Sequence, residues 1–343
     1  MIDISPEDSF RLNILFTQDV KAIRINESRM TLHALTADKE ASIQLHPQGN
    51  EERYLRQIKE LLASHYMDSP EAFPVFMSRW TRMQQSGKQN LDALLKIGEP
   101  EAVVYAVNSP HLSEEQASYA WWVSPSTEIA VELVKKPVIA RSKLAQELKD
   151  FLLEFLPFEN EPLLIINAVH LLLANELLSD EQKQSLVSKG QRKAHYLIGM
   201  LHCDPEVLPG DHRPSPLYKK YTESLVNPDR TQAQLQRFLS APGQNYLNLL
   251  NHALNKFTDQ ESIIALFQIM QKIFSLENLT ESSDTEGDEA LKSKLESLSY
   301  LSQIHENLLN EPLSRTNAVG SVLRKQLRDV CQPISLHIEN LLT

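Results

Sequence analysis

His202-Cys203-Asp204 is the one local run whose side-chain types suit nucleophilic chemistry. A thiol attacks as its thiolate, and forms one at neutral pH only beside an imidazole, a cation or a helix start. Adjacent residues on a helix point about 100° apart, so His202 does not reach Cys203 within one turn. Cys203 also follows Leu197, Ile198, Met200 and Leu201, the usual company of a core cysteine. Two readings stand: a buried core thiol, or a partly exposed persulfide carrier beside the proline-rich stretch that follows.

A second group is cationic. No acidic residue occurs from Lys183 to Cys203, while Lys189, Arg192, Lys193 and His195 gather around Gly190 and Lys219-Lys220 follow. In a chain with Lys+Arg 34, Asp+Glu 45 and formal net charge −11, this local excess suits an anionic partner, either an acidic protein surface or RNA. The alternative is a solvated helix start. Arg79-Trp80-Thr81-Arg82 puts two guanidinium groups three residues apart on one helical face, able to grip an acidic motif or local carboxylates. Asn167 and His170 interrupt the most apolar stretch, Leu163 to Ala174, and read as a buried, satisfied polar pair. Trp121-Trp122 cannot both face one core from a helix, so one ring is expected against another element or a partner.

The nine glycines form neither G-x-G-x-x-G nor G-x-x-x-x-G-K-[ST], and H-E-x-x-H, C-x-x-C and G-x-S-x-G do not occur. Neither a cofactor nor a metal is expected, and no catalytic residue emerges.

The elements that hold these residues are mainly helices. Ser5 and Pro6 open a short helix whose apolar residues are Phe10, Ile14 and Leu15. Period-two alternation through Ile23 and Ile25, then Met30, Leu32 and Ala34, then Ala41, Ile43 and Leu45, predicts a three-stranded antiparallel meander with one buried face. After Pro47 the period turns helical. Tyr54, Leu55, Ile58, Leu61 and Leu62 form one apolar stripe, and Leu144, Leu148, Phe151, Leu152 and Phe155 another. Capping boxes are expected at Ser113…Gln116, Ser179…Gln182 and Thr258…Glu261. Pro100, Pro110, Pro125, Pro137 and Pro157 punctuate short helical pieces, which fits an irregular helical-hairpin array or bundle.

The chain therefore reads as mainly α, with an N-terminal helix and β-meander over 1–50, a helical array over 51–204, a proline-rich linker over 205–230 and a C-terminal helical domain over 231–343. Residues 277–289 are acidic and read as a solvated loop. Val319 to Leu342 reads as a helix kinked before Pro333. Acidic residues at the N-terminus do not suit a secretory signal, no apolar run reaches the ~20 residues of a membrane span, and two distant cysteines suit a reducing compartment. A cytoplasmic location is expected.

Several strings add a resemblance. Ala22-Ile23-Arg24-Ile25-Asn26-Glu27-Ser28, Phe76-Met77-Ser78-Arg79-Trp80-Thr81-Arg82-Met83, Gly98-Glu99-Pro100-Glu101-Ala102-Val103, Phe151-Leu152-Leu153-Glu154-Phe155-Leu156-Pro157-Phe158-Glu159 and Lys189-Gly190-Gln191-Arg192-Lys193 resemble the DsrS family, proteins that accompany the reverse dissimilatory sulfite reductase system of sulfur-oxidising bacteria. The likeness covers roughly residues 7 to 210. It implies a cytoplasmic accessory or regulatory protein in the oxidation of stored sulfur, with a protein partner in that system. A sulfurtransferase role using Cys203 is the alternative. Two cysteines do not supply the clustered thiolates of an iron–sulfur or siroheme subunit.

Overall fold

The computed structural model describes residues 4–37, 39–67, 91–210, 212–225, 229–275 and 289–342. The chain is mainly α-helical with one small antiparallel sheet, and divides into two compact units, Met1–Leu152 and Leu153–Thr343. Among the described residues no helix is long and apolar enough to cross a membrane. The acidic stretch expected as a loop lies outside the described residues up to 288, and Glu289 opens a helix.

In the first unit, α1 (Pro6–Phe16) starts at Ser5, whose hydroxyl accepts from the Asp8 amide. Of the apolar residues Phe10, Ile14 and Leu15, only Leu15 is buried. Asp8, Leu12 and Leu15 point inward at spacings of four and three, leaving Phe10 and Ile14 exposed. Strands β1 (Val20–Asn26), β2 (Thr31–Thr36) and β3 (Glu40–Gln44) then form the antiparallel meander in that order. Ile23 stands opposite Ala34 and Leu32 opposite Ile43, so one face carries the core formed with Leu12, Leu15 and helix α2 (Glu51–Met67), which contributes Tyr54, Leu55, Ile58 and Leu62.

Short helices follow: α3 (Leu91–Leu94), α4 (Pro100–Asn108), α5 (Glu114–Val123), α6 (Thr127–Val134), α7 (Pro137–Ala140) and α8 (Leu144–Phe155). Pro100 and Pro137 occupy first helical positions, where a missing amide costs nothing. The Ser113 box is present at α5. The tryptophans separate as their spacing requires. Trp121 is buried edge-on to Phe151 and donates to Glu147 at 2.8 Å, while Trp122 lies under the Arg24 guanidinium of β1 at 4.4 Å.

The second unit contains α9 (Pro162–Ala174), α10 (Asp180–Gly190), α11 (His195–Leu201), α12 (Tyr218–Ser224), α13 (Arg230–Leu239), α14 (Ala241–Lys256), α15 (Gln260–Ile273), α16 (Glu289–Ser302), α17 (Asn310–Ser314), α18 (Gly320–Gln326) and α19 (Arg328–Leu342). Helices α14 and α16 both pack on α19, and α11 packs on α9 and α14. The Ser179 box is present, but α15 is capped by Asp259 rather than Thr258, its carboxylate accepting from the Ser262 amide at 2.8 Å. The proline-rich stretch is not a bare linker. It contains α12, and the Pro209 carbonyl accepts from Asn245 while the Ser215 amide donates to Leu239. The C-terminal break falls at Leu327, and Pro333 lies inside α19.

Candidate functional site

Gly199 sets the geometry around Cys203. A β-carbon at this position of α11 would stand 2.6 Å from the Ile166 carbonyl oxygen and 2.8 Å from the Val169 β-carbon of α9, so only glycine permits this approach. The close seam brings His170, near the end of α9, against Cys203, just past α11. The Sγ atom lies 3.6 Å from Nδ1 of His170 and 3.9 Å from its carbonyl oxygen, within reach of a weak S–H donor. The imidazole that reaches the thiol is thus 33 residues away in sequence. The His170 and His202 rings are 5.1 Å apart and tilted by 45°.

Electrostatics leaves this cluster neutral. Burial pushes the Cys203 thiol up to about 11, Asp204 adding to the rise and Lys272 opposing it. Burial pulls His202 down to about 4, assisted by His170 and Lys272, and burial with Lys272 lowers His170 as well. At neutral pH the site therefore holds a protonated thiol beside two uncharged imidazoles. Cys331 is also buried, which pushes its thiol to about 12. Among the described residues no group of three or more His, Cys, Asp and Glu could hold a metal ion.

A cavity of about 360 Å³ opens beside the thiol, lined among others by His202, Cys203, Asp204, Gln234, Arg237 and Lys272. The last three come from α13 and α15, and no short sequence motif links them to Cys203. Sequence reasoning missed them for that reason. The expected polar pair on α9 also comes apart: Asn167 is exposed and only His170 is half-buried. One residue in three on a buried helix still faces solvent, because successive side chains turn by about 100°.

The cationic group is smaller in space than in sequence. Lys189 lies in the last turn of α10, where its charge complements the helix dipole. Arg192 is exposed. Lys193 donates its Nζ to the Glu159 carbonyl at 2.6 Å. His195 does not join a surface patch: it is buried, and its Nε2 lies 2.7 Å from Oδ2 of Asp259. Its Nδ1 is buried without a hydrogen-bond partner among the described residues. Burial works to raise the Asp259 carboxyl, but hydrogen bonds from His195, Ser262 and Thr258 outweigh it and hold the group at about 2. Arg79, Trp80 and Arg82 lie outside the described residues.

No protein-family model matches the chain, and neither does any curated protein or solved structure.

Proposed function

We propose that the chain is a non-catalytic accessory or regulatory protein in the cytoplasmic oxidation of stored sulfur, acting by binding a partner. The observation that carries this reading is the state of Cys203. A persulfide carrier attacks as a thiolate, and burial pushes the Cys203 thiol up to about 11, which keeps it protonated at neutral pH even with a cavity open beside it. The connection with sulfur oxidation rests on the resemblance of the strings between residues 7 and 210. Arg192 and Lys189 provide the surface charge for an acidic protein partner.

The test is a tagged pull-down from sulfur-grown cells with wild type, Cys203→Ala and the double reversal Lys189→Glu/Arg192→Glu. Cys203→Ala is expected to retain sulfur oxidation in vivo and the same partners, whereas the reversal loses them. A folded Cys203→Ala protein that no longer supports sulfur oxidation would overturn the binding role and favour sulfur transfer. Nuclease treatment of the eluate separates an acidic protein from RNA.

A further inference from the structure

The walls of the cavity beside Cys203 differ in how far their polar groups are already committed. Tyr246 donates to the Leu201 carbonyl at 2.8 Å, Gln234 to the Ile273 carbonyl at 2.6 Å, and Gln268 to Glu306 at 2.7 Å. Arg237 is held by Asp204 at 2.9 Å and Glu206 at 3.2 Å. Lys272 lines the same cavity and makes no ion pair or hydrogen bond among the described residues. His202, also in the wall, has no hydrogen-bond partner there either.

The two sides of the cavity consequently ask for different things. At Lys272 an ammonium with three free donors acts on two uncharged imidazoles and an uncharged thiol, and among the described residues it makes no ion pair, the Asp204 carboxylate in the same wall being held by Arg237. At Arg237 one cation faces two carboxylates, which repels any second negative charge. Leu201, Ile269 and Ile273 supply apolar wall between them. A volume of about 360 Å³ falls at the small end of the range for ligand pockets, roughly 300–1,000 Å³. A metal cation is opposed by Lys272, and would have to displace the thiol proton in a desolvated place.

We infer that this cavity binds a small organic monoanion, with its charged end on Lys272 and its neutral body against Leu201, Ile269 and Ile273. The inference stands independently of partner binding, since it uses neither Lys189 nor Arg192.

The test compares benzoate with benzamide, which share shape and differ in charge, by ligand-observed NMR titration of the full chain and of Lys272→Gln. Lys272 is exposed, so the substitution leaves the fold intact, as the retained partner pull-down would show. Wild type is expected to bind benzoate at least about five-fold more tightly than benzamide, and Lys272→Gln to lose that preference, because a charge-assisted contact is exchanged for a neutral one. Equal affinities in wild type, a preference that survives in Lys272→Gln, or no benzoate binding at millimolar concentration would each overturn it. A covalent readout places the site. Iodoacetate and iodoacetamide both alkylate sulfur, the thiolate displacing iodide after its proton passes to water, and only iodoacetate is anionic. Their rate ratio at Cys203, read by peptide mass mapping against Cys331, is expected to favour iodoacetate in wild type and to fall to the Cys331 ratio in Lys272→Gln. Equal ratios at both cysteines in wild type, with benzoate still preferred, would put the anion elsewhere and refute the assignment to this cavity.

Discussion

Asp8 in the first unit and Cys203 in the second are both buried ionisable residues, yet their surroundings treat them in opposite ways. Asp8 has no side-chain exposure and accepts from the Tyr54 hydroxyl, from the His46 amide at 2.7 Å and from the His46 ring at 3.1 Å. Burial would raise its carboxyl, but these bonds outweigh burial and lower it. Cys203 has only two weak contacts, both to His170, stays protonated, and borders a cavity whose lysine is uncommitted. A cluster whose donors and acceptors are all spent holds a fold together. One with spare donors beside open space has something left for a ligand.

The largest effect expected from this contrast is at Asp8. Asp8→Ala strands the buried Tyr54 hydroxyl, at about 1–3 kcal/mol for a buried donor left unpaired, and releases the part-buried His46 amide, so it should cost roughly 2–4 kcal/mol in urea unfolding. A loss below about 1 kcal/mol would show that water replaces the carboxylate. The pH dependence follows from the sign of the shift. The folded carboxyl lies below its ordinary 3.8, so the unfolded chain binds the proton first. The contribution is complete above 3.8 and is lost as pH falls through the lower folded value. Asp259 acts likewise between 3.8 and about 2. Asp8→Asn and Asp259→Asn should each flatten the acid limb of stability against pH.

Gly199→Ala comes next. The added methyl meets a backbone oxygen at 2.6 Å, which cannot turn aside as a side chain would. Overpacking costs about 1–3 kcal/mol and the gain in helix propensity returns about 1 kcal/mol, so a net loss of up to about 2 kcal/mol is expected. The shifted seam should also change the alkylation rate of Cys203. An unchanged rate together with lost stability would uncouple the seam from the thiol.

These residues also mark the limit of what the chain discloses in one dimension. The meander was legible because one buried face imposes period two on Ile23, Leu32 and Ile43. The boxes at Ser113 and Ser179 were legible because capping is local. The inward face of α1 was not, since Asp8 looks like a first-turn acid and Phe10 like core, and only the positions of His46 and Tyr54 reverse them. His195 looked like part of a basic run until Asp259, 64 residues on, claimed it. The cavity was illegible for the same reason: Cys203, Arg237 and Lys272 meet through helix packing, which no spacing records.

Cys203→Ala should cost only about 1 kcal/mol, because a half-satisfied thiol contributes little beyond its small buried volume. A cost of several kcal/mol would make the cysteine a structural residue like Asp8 and weaken the contrast between the two clusters.

The smallest effects separate two neighbours in the cationic run. The Lys193 ammonium is tied to the Glu159 carbonyl, whereas Arg192 is exposed and makes no ion pair among the described residues. Lys193→Gln should therefore cost about 1 kcal/mol of stability, below the ~1.5–3 kcal/mol typical of a charged hydrogen bond because the group is half-exposed. Arg192→Glu should change stability by less than about 0.5 kcal/mol, as surface substitutions without partners do. Partner recovery should rank them in reverse, Arg192→Glu losing more than Lys193→Gln. The loss should shrink as salt rises, since the screening length falls from ~10 Å at 0.1 M to ~3 Å at 1 M. If Lys193→Gln instead removes the partner while Arg192→Glu does not, the Glu159 turn rather than surface charge presents the binding face. The aromatic side chain of Phe158, exposed beside that turn, would then be the next residue to change.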